Sequence, residues 1–421
     1  MKPMPSNRGL HTPASPIRNL VPYAVKAIER GLHVYHLNIG QPDLDTPPEI
    51  RSRLREIDST CLAYSPAQGT PAFLATMQRY YSQLGIDLAV NEIITTTGGS
   101  EAILFALSAC CDPGDDVMVV EPFYPNYRGF ATIAGVGIVA VTSRGRDGFH
   151  LPPLHVWERE ITSRTKAVLL CNPNNPTGAV YHREEVEMVA ELCRRRGLFL
   201  ISDEVYREFA FDGRHATSAL ELEGMEPYVI VADSLSKRYS SCGLRLGCFV
   251  TRNPDLYGAA YRMAQARLAP PGIAQSLAVG IEDIADDYVE SVCQEYQSRR
   301  DCLYGSLIEI PGVFLRRPEG AFYFIAKLPV DDAEEFCKWL LSDYELDGAT
   351  LMLAPARGFY MSKHLGRDEV RIAYVLNRDD LKKAVEVLRN GLEAYRKAKG
   401  LAEPADQSLD GPQSQRLAAA E

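Results

Sequence analysis

Ala167-Val168-Leu169-Leu170-Cys171-Asn172-Pro173-Asn174-Asn175-Pro176-Thr177-Gly178 is the stretch whose reading decides the architecture. An apolar run of strand length stops abruptly at prolines interleaved with asparagines, so a strand ends in a rigid loop. A helical pattern follows at Arg183–Arg195, and a second apolar run at Leu198–Ser202. Working outward, similar runs occupy Glu92–Thr97, Asp116–Val120, Gly137–Val141, Tyr228–Ala232 and Leu246–Thr251, with a helical pattern at Ser100–Cys110. Alternation of this kind predicts an α/β domain with a mainly parallel, seven-stranded sheet between helices. In such sheets ligands collect at the carboxyl ends of the strands.

The chain has 421 residues, more than one hydrophobic core usually serves, so two domains are expected. The expected division is an N-terminal arm over 1–14, a segment over 15–46 that joins the smaller domain, and a large domain over 47–310. A small α+β domain over 311–397 and a disordered tail over 398–421 complete it. In the small domain Gly320–Ala326 and Glu369–Tyr374 read as strands and Asp379–Arg396 as an amphipathic helix. Met1 to Thr12 are polar and proline-broken and read as disordered. Acidic residues outnumber basic ones, for a net charge of −10, and Arg194-Arg195-Arg196 reads as a solvated helix end. Nothing resembles a nucleic-acid footprint. The ten cysteines are scattered without a CxxC pair, which suits reduced thiols in a cytoplasm better than disulfides or zinc. His33 and His36 lack a Cys or Glu cluster and read as strand side chains, so no metal is expected. No apolar run reaches membrane-spanning length.

Several segments fall where strands should end. Thr97-Gly98-Gly99-Ser100-Glu101 opens a helix, and its glycines let backbone approach an anion at the helix N-terminus. It also reads as a plain strand-to-helix turn. Ser202-Asp203-Glu204-Val205-Tyr206 sets a carboxylate at the sheet edge with a tyrosine close by, although Asp203 alone also reads as a helix cap. Glu121-Pro122-Phe123-Tyr124-Pro125 places an aromatic ring on a stiff turn. Ser234-Leu235-Ser236-Lys237-Arg238-Tyr239, whose Lys237 lies eight residues ahead of Arg245, combines an amine with hydroxyls and an arginine. Such a set suits a carbonyl compound that carries a phosphate, and pyridoxal phosphate fits that description.

Asn-Pro-x-Asn-Pro-Thr-Gly, Ser-Asp-Glu-x-Tyr, Ser-x-Ser-Lys and Gly-x-Arg-x-Gly occur in that order, and the chain thereby resembles the class I/II aminotransferases, pyridoxal-phosphate enzymes of fold type I. The resemblance covers roughly 15–395 and leans toward the aspartate aminotransferase branch. It implies that Lys237 bonds the cofactor and shuttles the substrate proton, while Asp203 partners the pyridinium nitrogen. Asn175 and Tyr206 would hydrogen-bond the ring's phenolic oxygen, Asn175 also lying beside the substrate. Gly99, Ser100, Ser234 and Arg245 would cradle the phosphate, and Tyr124 would stack on the ring. Tyr64, in Ala63-Tyr64-Ser65-Pro66, matches the tyrosine that reaches the phosphate of the neighbouring subunit, which implies a homodimer with shared active sites. Arg371 matches the arginine that grips the substrate α-carboxylate, with Gly40 lining the same place.

The implied reaction is a ping-pong transamination between an L-amino acid, aspartate-like for preference, and 2-oxoglutarate. A lysine that some aspartate-specific relatives carry is replaced here by Ser100, so Arg18 and Arg267 are the candidate ligands for a distal carboxylate, Arg267 from the partner subunit. Arg357, in Ala354-Pro355-Ala356-Arg357-Gly358-Phe359-Tyr360, is a third. Cys242 and Leu244 depart from the methionine and tryptophan that relatives often have there. An aromatic or other non-acidic donor, or a lyase or oxidase reaction with the same cofactor, stays open on these residues.

Overall fold

Seven runs rich in β-branched residues form one sheet in the computed structural model, which describes residues 3–58 and 60–404. They are β1 (Ile93–Thr96), β2 (Asp116–Glu121), β3 (Gly137–Thr142), β4 (Thr165–Cys171), β5 (Phe199–Asp203), β6 (Val229–Ser234) and β7 (Gly247–Val250). Their order is β1-β7-β6-β5-β4-β2-β3, and all neighbours pair parallel except that β7 runs antiparallel to both β1 and β6. Each lies within about two residues of the run read from the sequence. β2 and β6 are buried along their whole length, and in β4 only Lys166 is exposed. That is why these strands read as continuous apolar runs rather than as alternation.

Four helices of this unit matter below: α1 (Pro71–Gln83), α2 (Gly98–Cys110), α3 (Asn126–Ala134) and α4 (Arg183–Arg196). α2 buries Ile103, Phe105, Ala106 and Leu107 against Ile94, Ile230 and Phe249 of the sheet. Each large side chain there contributes about 2 kcal/mol by leaving water. α4 has Glu184 and Glu185 in its first turn, Arg194–Arg196 in its last and Gly197 in the left-handed region after it, so its charges oppose the helix dipole. The three arginines are thus a helix end.

The chain divides into a large unit, 3–14, 41–297 and 319–321, and a smaller one, 15–40, 298–318 and 322–404. Residues 41–46, 298–310 and 319–321 therefore fall in the opposite unit from the one expected. The later boundary was illegible because it lies inside a continuous helix, Tyr288–Leu307. The smaller unit holds an antiparallel sheet of Ala354–Pro355, Glu369–Ala373 and Tyr323–Lys327, and a parallel pair of His33–His36 with Ala349–Met352. His33 and His36 are exposed strand residues. The helix read at Asp379–Arg396 runs over Arg378–Lys399, capped by the Asn377 side chain.

Two further readings need correction. The strand expected over Gly320–Ala326 begins at Tyr323, because Ala321 turns into the left-handed region (φ 57°) and breaks the extended run. Gly320 instead donates its N–H to Gly178 O at 2.8 Å in the large unit. The N-terminal stretch read as disordered contains a short helix, Asn7–His11. Ser6 Oγ caps it by accepting from Gly9 N at 3.1 Å, and Arg8 donates to Ile133 O at 3.1 Å. Of the expected tail, 398–399 complete the last helix, and 405–421 lie outside the described residues.

Candidate active site

Glycines shape the first part of the site. β1 ends at Thr96, and α2 starts at Gly98 with φ 73°. A Cβ on Gly98 would lie 2.7 Å from Arg245 Nη2, and one on Gly99 would lie 3.1 Å from Val205 and 3.7 Å from Ser234. The missing side chains let Arg245, Val205 and Ser234 close on the helix N-terminus. A Cβ on Gly247 would meet Asp233 O at 2.5 Å and the Gly98 carbonyl carbon at 2.7 Å, so β7 passes this turn backbone against backbone. The first N–H groups of a helix have no acceptor within it, and Gly98, Gly99 and Ser100 are those residues here. With the Arg245 guanidinium beside them they form an anion cradle. Ser234 Oγ joins its wall, within 2.9 Å of Ser236 Oγ and 3.1 Å of Leu246 O.

Asp203 is the last residue of β5, level with Cys171 of β4. It is buried, and burial pushes its pKa up to about 6, opposed mainly by the hydroxyl of Tyr127, which donates to Oδ2. A carboxylate in that position is costly to ionise without a positive partner, which suits a protonated ring nitrogen. Tyr127, in the first turn of α3, escaped the sequence reading; its one signal was a place three residues after Tyr124, one helical turn on. The Tyr124 and Tyr127 rings meet edge to face at 5.6 Å. Tyr127→Phe should shift the acid limb of the kcat/KM–pH profile upward, because Asp203 would lose the bond that favours its charged form. An unshifted limb would remove Tyr127 from that role.

Lys237 is half-buried, its Nζ 5.8 Å from the centre of the Tyr206 ring. Asn175 is buried in the proline loop, which braces itself from within. Thr177 Oγ1 donates to Asn174 Oδ1 at 2.8 Å, Asn174 Nδ2 to Tyr181 Oη at 3.0 Å, and Tyr181 N to Asn172 Oδ1 at 2.9 Å. Lys237, Tyr206, Asp203, Asn175, Ser234 and the glycine turn all follow the carboxyl ends of neighbouring strands.

In the smaller unit, Arg371 is buried with Nη2 donating to Asn38 O at 2.5 Å. Its guanidinium lies 4.2 Å from the centre of the Tyr323 ring and 5.0 Å from that of Phe359. A Cβ at position 40 would come 1.9 Å from Tyr323 Oη, so any larger residue there would have to displace the Tyr323 ring. Tyr323 thus touches both proposed carboxylate residues, a role that its place in an apolar strand did not announce.

The distal-carboxylate candidates fare differently. Arg18 and Arg357 are exposed, the latter 3.9 Å from Asp332. Arg267 is already engaged within its own chain: Nη1 donates to Glu101 at 2.7 Å, and Nη2 to Ala67 O at 2.9 Å and Thr95 O at 3.3 Å. These bonds use three of the five N–H donors of the guanidinium within its own chain. Tyr64 is 82 % exposed. Among the described residues, His150, His182 and Glu185 have the composition of a metal site. Their geometry does not suit one: the two rings stack 4.8 Å apart and 9° from parallel, so one ion cannot lie in both ring planes. His150 instead bonds Glu185 at 2.8 Å and faces Glu319 at 3.4 Å, and these two carboxylates hold its pKa up to about 9.

The sequence pattern described as "Aminotransferase class I and II" matches residues 33–388. The chain belongs to that family. This aminotransferase is 28% identical to an aspartate aminotransferase of Geobacillus stearothermophilus over 90% of its own length and 99% of the relative's. Its fold superposes on the Thermus thermophilus aspartate aminotransferase solved with maleate, with a TM-score of 0.84 and 26% identity, covering 93% of this chain and all of that one. An alanine aminotransferase of Pyrococcus furiosus is as close, with a TM-score of 0.85 and 27% identity over the same shares. Members of the family use pyridoxal phosphate. The donor set of this aminotransferase fits it: an anion cradle that a Cβ would fill, a buried carboxylate for the ring nitrogen, an amine, and an aromatic ring to stack.

Proposed function

We propose that this aminotransferase transfers the amino group of an L-amino acid, aspartate favoured, to 2-oxoglutarate in two half-reactions at one site. The buried Asp203 at the end of β5, with Lys237 at the end of β6, is the observation that carries the reading. Pyridoxal phosphate supplies an electron sink for the bond broken at the substrate α-carbon. Lys237 Nζ takes the α-proton and returns it one position away, so it acts as base and then as acid. Asp203 would keep a proton on the ring nitrogen by its negative charge. Asn175 and Tyr206 would bond the phenolic oxygen, Tyr124 would cover the ring, and Gly99, Ser100, Ser234 and Arg245 would hold the phosphate. The planar fork of Arg371 takes the α-carboxylate, next to Gly40.

Similarity to aspartate aminotransferases supports an acidic donor. The internal engagement of Arg267 favours a second reading, a small or aromatic apolar donor. Single-turnover loss of the yellow cofactor band on mixing with aspartate, alanine or phenylalanine decides between them. A rate with aspartate at least about tenfold above the others supports the first reading, and the reverse order supports the second.

We also infer a homodimer. Leu62, Tyr64 and Leu268 stand 70, 82 and 56 % exposed, in two segments tied together by Ser65 and Gln275, and a second copy would cover this ridge. A cytoplasmic location is supported by ten cysteines scattered along the sequence without a CxxC pair. Among the described residues no helix is long and apolar enough to cross a membrane.

A further inference from the structure

Asp233 lies near the end of β6 and Arg238 in the turn that follows it, so the two flank Ser234 and Lys237 in sequence. Their side chains meet beneath that turn. Arg238 Nη2 lies 2.7 Å from Asp233 Oδ2, and neither side chain is more than 2% exposed. Asp233 Oδ1 accepts from Ser234 N at 2.6 Å, and Oδ2 accepts from Tyr81 Oη at 3.0 Å. The other half of the Arg238 fork donates to Tyr80 Oη at 2.5 Å, with the Tyr80 ring 4.0 Å below the guanidinium. Tyr80 and Tyr81 both come from α1. A second buried pair continues the cluster. Arg207 Nη2 lies 2.7 Å from Glu204, which follows Asp203 directly, and Arg207 Nη1 donates to Tyr80 Oη at 2.8 Å.

Two carboxylates and two guanidiniums are therefore buried one residue away from Asp203, Tyr206, Ser234 and Lys237. Buried ion pairs add little to stability beyond what well-packed apolar residues would supply. What a two-pronged guanidinium does supply is a fixed distance and direction. Ser234 and Lys237 contact opposite parts of one small ligand, so the span between them has to match that ligand's length.

We propose that Asp233 and Arg238 form a clamp that sets the span from the phosphate cradle to Lys237 Nζ, making both of them positioning residues for cofactor capture. In that step Lys237 Nζ forms a C=N bond to the carbonyl carbon of pyridoxal phosphate, and the carbonyl oxygen leaves as water. The proposal rests on the reading of Ser234 and Lys237 given above.

The test uses full-length apoprotein and pyridoxal phosphate. Wild type, Arg238→Lys, Arg238→Gln and the double variant Asp233→Asn/Arg238→Gln are compared, with Lys237→Ala as control. Cofactor affinity is measured by absorbance titration, the capture rate by borohydride trapping with peptide mapping, and folding by circular dichroism and apoprotein Tm. The double variant removes one charge of each sign and so keeps the net charge of the cluster, which also holds Arg207 3.8 Å from Asp233 and Glu208 3.6 Å from Arg238; circular dichroism and Tm then report folding apart from positioning. A displacement of the amine by about 1 Å is worth about 100-fold, and a loss of that size in capture rate is expected for Arg238→Gln and the double variant, with partial recovery in Arg238→Lys. Should the glutamine variants fail to fold, Tyr80→Phe removes one prong's partner and no charge, and a slower capture is expected there too. Capture at the wild-type rate in folded variants, whatever their Tm, overturns the clamp. Wild type that traps at a lysine other than Lys237 overturns instead the reading of the site.

Discussion

Lys237→Ala should lower kcat by at least about 10⁴-fold while leaving a folded protein. The upper end of what a positioned acid–base group contributes is of that size, and Lys237 is assigned two such transfers besides its bond to the cofactor. Water cannot replace it, because the proton must leave one carbon and return to another within a single turnover, and only a tethered amine reaches both. The side chain is half-buried and closes no core cavity, so the apoprotein Tm should move by only a few degrees. Steady-state turnover with the preferred donor, together with peptide mapping of the reduced protein, checks this. More than about 1% of wild-type activity, set against the loss that assignment requires, would mean that another group moves the proton.

Asp203→Asn should cost about 10²–10³-fold in kcat, the usual loss when one preorganised electrostatic contact to developing charge is removed. Asparagine keeps the shape and can still accept from Tyr127, but it cannot favour a protonated ring nitrogen. The same substitution has an opposite effect on the apoprotein, and the sign follows from the raised pKa. A carboxyl titrating at about 6 when folded, against about 3.9 unfolded, contributes stability that is fully present below pH 3.9 and lost as pH rises through 6. Apo Asp203→Asn should therefore unfold at nearly the wild-type temperature near pH 4 and at a higher one at pH 8, a gain of about 3 kcal/mol at most. Calorimetry of the two apoproteins across that range measures it. A variant less stable than wild type at pH 8 would show that Asp203 is already paired with a positive charge within the chain.

The sheet was legible because its strands are buried on both faces and end at Gly, Pro or Asn, so run length and punctuation carried the signal. The residues proposed to face the cofactor stood out for a related reason: each stands close to such an ending. Tyr127, Tyr323 and Arg238 did not, because their roles come from partners far off in the chain. Tyr127 meets Asp203, Tyr323 meets Gly40, and Arg238 meets Tyr80 of α1. The bond from Arg267 to Glu101 on α2 was illegible for the same reason, since no local pattern relates the two. Ala321 shows the limit on the backbone side, where one left-handed residue in an apolar run stops a strand that periodicity would continue.

The contact of Gly247 with the Gly98–Gly99 turn bears on the order of events in folding. Gly98 and Gly99 open α2 while Gly247 opens β7 far along the chain, and the turn takes its shape only once β7 has inserted between β1 and β6. Closing so long a loop is slow compared with forming α2 or α4. The anion cradle is thus among the last parts of the large unit to be completed during refolding. Inorganic phosphate or cofactor added to a refolding chain would find no binding place until the sheet is whole, and the moment of uptake becomes a clock for the final stage of sheet assembly.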